Sequence, residues 1–184
     1  MPHKTFGGKG NVPQIPQRGH FGSRKLAGHS SKHKGVDFAA KHGTPLYDNS
    51  RGVVVRVYKN HVNRNGTPGF GGRIEIRYDN GYTATYSHMS EINVKVGDIV
   101  YEGVKIGITG GTPNTLGAGS TTGAHLHFEL YAPSDENLNT FKRAPIDPEL
   151  HMYNFENGWI KPSGETKYAV DPVFDEARGT WSNA

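Results

Sequence analysis

Two short stretches carry side chains suited to metal chemistry. In "HLHFE", His125 to Glu129, two histidines flank a leucine in a run that reads as a β-strand. Residues two apart in a strand point to the same side, roughly 6.8 Å from each other. His125 and His127 therefore share a face, while Leu126 and Phe128 turn toward apolar packing. That spacing suits two ligands of one metal, or one ligand beside one catalytic neighbour. It equally suits two surface histidines on an ordinary strand. In "HKGVDF", His33 and Asp37 stand four apart. A straight strand would separate their Cα atoms by about 13 Å, too far for one ion. A helix is disfavoured by Gly35 and the β-branched Val36. A bend remains, with Gly35 adopting a conformation closed to other residues and folding His33 back toward Asp37. The plain alternative is a hydrated turn with Asp37 facing solvent.

The other histidines offer less. His88 sits in "TYSHMS", where a strand should leave its sheet, and strand ends beside loops are favoured places for functional side chains. A partly buried, hydrogen-bonded histidine would look the same. His29 precedes His33 by four in a poorly helical context and reads as an exposed loop residue. His3, His20, His42, His61 and His151 show no partner pattern and read as surface or packing residues. The chain has no cysteine, so thiolate sites, disulfides and a Cys nucleophile are excluded. Any metal must use His, Asp or Glu, and ten histidines are available.

The elements that must position these residues read as strands and turns. Ile74, Ile76 and Tyr78 alternate with Arg73, Glu75 and Arg77. Asp79-Asn80-Gly81 turns the chain, and Tyr82, Ala84 and Tyr86 resume the alternation. This predicts a β-hairpin with one face buried. "RGVVVRVY" (Arg51–Tyr58) is a short β-branched run, and Ile92–Thr109 has strand character broken at Gly97-Asp98 and Glu102-Gly103. A small-residue loop, Gly110–Gly123, leads into the strand Ala124–Ala132. No stretch before residue 133 has a helical period. "DPVFDEARG" (Asp171–Gly179) could start a short helix, with Asp171 as N-cap and Pro172 in the first turn. An irregular surface strap fits it as well. The fold class expected is all-β: a mostly antiparallel sheet with a groove walled by long loops, then an irregular or short-helical C-terminal extension.

With 184 residues the chain suffices for one domain. Three parts are expected: a flexible basic arm over 1–14, a main domain over 15–148, and an extension over 149–184 that packs on the core or mediates assembly. Charge is uneven: residues 1–36 carry seven Lys/Arg and no acid, whereas 149–184 carry three basic and six acidic side chains. A basic body fits an anionic partner or solubility alone. No apolar run approaches a membrane span. No nucleic-acid motif accompanies the basic residues, so no nucleic-acid partner is expected.

Taken together and in order, "HFGSR", "HKGVDFAAKHGTPLY", "RGVVVRV", "NGYTATYSHMS", "VKVGDIVYEGVKIGITG", "TGAHLHFEL" and "IDP" closely resemble the lysostaphin-type peptidoglycan endopeptidases, metallopeptidase family 23, over about residues 18–148. The resemblance implies one Zn2+ per chain held by His33, Asp37 and His127, with His125 and His88 catalytic. It implies hydrolysis of peptide bonds in peptidoglycan stems or cross-bridges. Three protein ligands would leave a tetrahedral zinc one open position for water, and His125, two residues from a ligand, is placed as a base. His88 would orient water or stabilise the oxyanion. Glu129 has the parity to partner a ligand histidine, although a solvent-facing Glu is the preferred reading.

Two departures from the family pattern stand out. The loop Thr112–Ser120 is longer than usual and should wall the groove, and residues 149–184 run past the usual end without a recognisable wall-binding module. The rival function is a non-catalytic relative that binds the wall or activates another hydrolase. "VKVGDIVYEGVKIG" also resembles a biotinyl or lipoyl carrier segment, but its hairpin tip lacks the required lysine. The chain would act on the cell wall. The N-terminus has no apolar signal-peptide core. That leaves a phage enzyme, carried in the virion or released at lysis, or an excised domain of a secreted bacterial protein, with the former favoured.

Overall fold

The structure, a computed structural model, describes residues 15–23, 32–48, 51–79, 81–101, 103–134 and 139–153, with short stretches at 161–162, 173–175 and 180–182. The expected basic arm over 1–14, His29 and most of the 149–184 extension lie outside the described residues.

Strands account for nearly all of the regular structure, as the alternation predicts. They are β1 (Gly22–Ser23), β2 (Lys32–His33), β3 (Val36–Phe38), β4 (Pro45–Tyr47), β5 (Gly52–Val62), β6 (Pro68–Tyr78), β7 (Thr83–Ser87), β8 (Met89–Ile92), β9 (Ile99–Val100), β10 (Lys105–Thr109) and β11 (Leu126–Tyr131). A six-stranded sheet runs β3-β11-β7-β6-β5-β9, a three-stranded sheet runs β4-β10-β8, and β1 pairs with β2. All of these pairings are antiparallel. β5 is longer than its β-branched run suggested, because β6 pairs with it as far as Val62. No helix among the described residues is long and apolar enough to cross a membrane.

The core lies on one face of the large sheet. Val36, Phe38, Leu126, Phe128 and Leu130 pack there with Ile74, Ile76, Ala84 and Tyr86, and Leu46, Met89 and Ile106 close the core from the smaller sheet. The hairpin β6–β7 was expected to bury one face only. It buries both: Arg73, Glu75, Thr85 and Ser87, on the polar side, are also shielded from water. The cause is a charged network that satisfies them, described below.

Beyond β11, Asn139 caps a single 3-10 turn at Thr140–Lys142. A one-turn helix α1 (Pro148–His151) follows, with Asp147 accepting from the Glu149 backbone N–H. β12 (Met152–Tyr153) pairs with β13 (Lys161–Pro162), and β14 (Val173–Asp175) with β15 (Thr180–Ser182). The helix considered for Asp171–Gly179 is thus a strand over Val173–Asp175. Val and Phe are strand formers, and Phe174 stands opposite Trp181 in the ladder.

The bend between His33 and Asp37 is present, since β2 ends at His33 and β3 begins at Val36. The reason for Gly35 differs from the one expected. It is not among the residues with positive φ. A Cβ there would lie 2.1 Å from the Phe128 carbonyl oxygen. Glycine lets the bend lie directly against β11. Gly35→Ala is therefore expected to destabilise the protein by about 1–3 kcal/mol through overpacking. The shift in denaturant midpoint measures this, and an unchanged midpoint would show that the bend has room to give.

Candidate metal centre and its groove

Strand register brings the first site residues together. β3 and β11 pair with Asp37 opposite His127, and β1 and β2 pair with Gly22 opposite His33. Residues opposite each other in an antiparallel ladder hold their Cβ atoms about 4.5–5.5 Å apart. The bend then swings His33 onto the same spot. His127 Nδ1 lies 2.8 Å from Asp37 Oδ1 and 3.1 Å from His33 Nε2. His33 Nε2 lies 3.2 Å from the same carboxylate oxygen.

These three atoms fit a metal. Two imidazole nitrogens and one carboxylate oxygen form a donor set that zinc accepts, and tetrahedral bonds of 2.0–2.1 Å put donors roughly 3.3 Å apart. The observed separations of 2.8–3.2 Å are close to that. Among the described residues, His33, Asp37 and His127 form the group of histidine and acidic side chains with this convergence.

The outer nitrogens are held as well. His33 Nδ1–H donates to the His20 carbonyl at 2.9 Å. His127 Nε2 meets Glu129 Oε1 at 3.0 Å. Glu129 is 1% exposed, so the expectation of a solvent-facing Glu is overturned. Its parity with His127 was the signal, and β11 is buried on both sides. Burial acts to raise the Asp37 carboxyl, but hydrogen bonds from His127 and His33 prevail and hold it well below the usual carboxylate range. Burial likewise disfavours a charged His127, yet its bonds to Asp37 and Glu129 lift its pKa to about 9. Without a metal, a proton on His127 answers the two carboxylates. A metal at Nδ1 would take that proton's place, since ligand atoms must be deprotonated.

His125 and His88 stand beside this group, their ring centres 4.7 Å apart. His125 Nδ1–H donates to the Gly123 carbonyl at 2.7 Å, and its Nε2 lies 3.6 Å from Asp37 Oδ1. His88 Nδ1–H donates to the Ala118 carbonyl at 2.7 Å. Both rings therefore direct an unprotonated Nε2 elsewhere. Burial lowers the pKa of each, that of His88 to about 3, so both are neutral at physiological pH. His88 has φ 61°. A left-handed backbone at a non-glycine residue costs about 1–3 kcal/mol and is common at functional sites. It is held by the bond from the His88 N–H to the Phe70 carbonyl and by the Gly110 N–H on the His88 carbonyl.

The site opens into a groove of about 1100 Å³. Of the loop Thr112–Ser120, expected to wall the groove, only Ser120 lines it; Thr121 to Ala124, on the way into β11, make up the rest of that side. The loop's earlier part packs on β6 and β8 through Gly117 and Gly119, while Leu116 is 78% exposed. His61, Phe70 and Phe141 form an aromatic end, with His61 stacked on Phe141 at 4.9 Å and Phe70 stacked on His127 at 5.7 Å. The packing role read for His61 thus falls inside the groove. Phe141 was missed, since only the chain's return after β11 brings it there. Arg18, Lys32, Lys34 and Arg64 also line the groove, whereas its acids among the described residues are Asp37 and Glu129. His42 is exposed, and His20 faces Glu149 at 2.5 Å.

Comparison with known proteins gives the family and the fold. The family description "Peptidase family M23" matches residues 31–148. Among curated proteins, the peptidoglycan DD-endopeptidase ShyA of Vibrio cholerae is 39% identical over 115 residues, covering 62% of this chain and 23% of ShyA. The chain thus spans under a quarter of the curated relatives it matches first. The solved catalytic domain of lysostaphin from Staphylococcus simulans superposes with a TM-score of 0.54 at 32% identity, covering 70% of this chain and 85% of that domain. A zinc-containing peptidase from Vibrio cholerae gives a TM-score of 0.54 at 31% identity, covering 73% of this chain and 35% of its own.

The loop that seats His88 depends on a close approach. Gly117 has φ +75°, and a Cβ there would meet the Met89 carbonyl at 2.0 Å. Gly117→Ala is expected to lift the loop and break the bond from the Gly72 N–H to the Gly117 carbonyl. Hydrogen exchange at the Gly72 amide should accelerate many-fold. Unchanged exchange would mean that the loop is held by other contacts.

Proposed function

The chain belongs to peptidase family M23, and from that premise we propose that it is a zinc-dependent endopeptidase cutting peptide bonds in bacterial peptidoglycan, with His33, Asp37 and His127 as metal ligands and His125 and His88 as catalytic groups. The observation that carries this reading is the convergence of three donor atoms within 2.8–3.2 Å at the floor of an open groove, with two neutral histidines at its side. Bound there, zinc would polarise the scissile carbonyl and bring the pKa of a water toward neutrality.

The chain's own residues would supply proton transfer and orientation. His125 has its Nδ1–H tied to Gly123 and a free lone pair at Nε2. It takes the proton of the attacking water at Nε2 and returns it to the leaving amine, as a general base and then acid. His88, tied through Nδ1–H to Ala118, also presents a bare Nε2. In that tautomer it accepts a hydrogen bond and has none to give, which favours orienting the water over stabilising the oxyanion. Asp37 stays ionised and supplies the one negative charge among the ligands.

The groove supports a choice of substrate. Among the described residues four cationic side chains line it, and the two acids there are both hydrogen-bonded to His127. Cationic walls favour anionic substrates and repel cationic ones. Stem peptides carrying free carboxylates suit it better than neutral glycine bridges. The similarity to proteins named peptidoglycan DD-endopeptidases points the same way. The cell wall is the corresponding site of action.

Digestion of purified peptidoglycan of the diaminopimelate type and the glycine-bridged type, read by mass spectrometry, tests the reading. New amino termini are expected in the diaminopimelate-type stems and should vanish with chelator. Intact stems and bridges from both walls, with zinc bound, would refute endopeptidase action. His125→Ala is expected to keep its zinc and lose at least about 10²-fold in rate, while His33→Ala should lose both. Full activity in His125→Ala would remove it as the base.

A further inference from the structure

We propose that Glu129 is a positioning residue for His127, held ready by Arg73 and Tyr131, an inference that rests on His127 being a metal ligand. The His127 ring has two distinct edges. Nδ1 faces Asp37 and His33, where a metal would be held, and Nε2 faces Glu129 Oε1 at 3.0 Å. A carboxylate can only accept, so a proton must sit on Nε2, and the Nδ1 lone pair is left for a metal. The same bond opposes a flip of the ring, which would put carbon where Nδ1 now stands.

Glu129 is itself immobilised. Its Oε2 accepts from the Tyr131 hydroxyl at 2.6 Å and from Arg73 Nη2 at 3.2 Å. Arg73 donates further to Ser87 Oγ at 3.0 Å and Thr140 Oγ1 at 3.3 Å. Thr140 in turn donates to Glu75 Oε1 at 2.6 Å, and Arg56 Nη1 reaches Glu75 Oε2 at 3.1 Å. Arg73, Glu75, Glu129 and Thr140 are all buried.

Folding alone does not require this arrangement. Buried ion pairs are commonly no better for stability than apolar residues of similar volume, because desolvation offsets the attraction. What the network supplies is one carboxylate oxygen, fixed from behind and aimed at the outer nitrogen of His127. Partners of this kind set the tautomer and orientation of metal-binding histidines, and losing one costs about 10–100-fold in metal affinity.

The test uses the full chain, Zn2+ as the probe and the near-isosteric Glu129→Gln. Zinc affinity is measured by competition with a chromogenic chelator, and the His127 proton by long-range 1H–15N NMR of the zinc-loaded protein. Wild type should bind one zinc and show its His127 proton on Nε2, shifted far downfield by the carboxylate. Glu129→Gln should bind zinc about 10–100-fold more weakly, and that proton should move upfield. Tyr131→Phe should change both in the same direction by less. Zinc affinity within twofold of wild type, with the Nε2 proton unmoved, would overturn the proposal. So would a wild-type His127 without a proton on Nε2, a result that needs no variant to fold. Failure of wild type to bind zinc would instead overturn the metal-centre reading on which this rests.

Discussion

The pairing of β3 with β11, in the register that sets Asp37 against His127, is the constraint on which the rest of the site depends. A slip of one residue would send Asp37 and His127 to opposite faces of the sheet. The register is enforced from below, where Val36 and Phe38 pack with Leu126 and Phe128 in the core. It is enforced from the side by β7, which pairs Ser87 with His127 and Tyr86 with Phe128. Hydrophobic burial on one face thereby fixes donor geometry on the other. Gly35 completes the arrangement by letting the chain pass against the Phe128 carbonyl before Asp37.

The polar face follows a second rule. Arg56, Glu75, Thr85 and Glu129 lie side by side across β5, β6, β7 and β11. Arg73, Ser87, His127 and Asp37 form the next row, which ends at the candidate metal centre. Buried charges must be paired and hydrogen-bonded to be tolerated, and here Glu75 and Glu129 meet guanidinium groups while Asp37 meets histidines. The 3-10 turn at Thr140–Lys142 closes over the rows through Thr140 and delivers Phe141 to the groove. The groove and the His33, Asp37 and His127 cluster are thus two sides of one packed unit.

Much of this was legible in the sequence. Alternation located the hairpin strands and predicted that His125 and His127 share a face with Glu129. The impossibility of spanning His33 to Asp37 with a straight strand required the bend. Two of the features that were not legible share one physical reason. A Glu at an outward parity looks solvent-exposed until its cover is known, and that cover includes Thr140, bonded to Arg73 across 67 positions of sequence. Gly35 looked like a residue needed for an unusual dihedral, whereas it is needed for space against a strand more than 90 positions away. Local pattern reports local conformation, and both of these are long-range contacts.

The central claim is that the ligand set is two imidazoles and one carboxylate, with His125 and His88 beside the metal and not on it. Zinc-edge X-ray absorption of the zinc-loaded protein counts imidazole ligands directly. Two are expected, with the spectrum unchanged in His125→Ala. Three imidazoles, or a spectrum altered by that substitution, would contradict it and place the supposed base among the ligands.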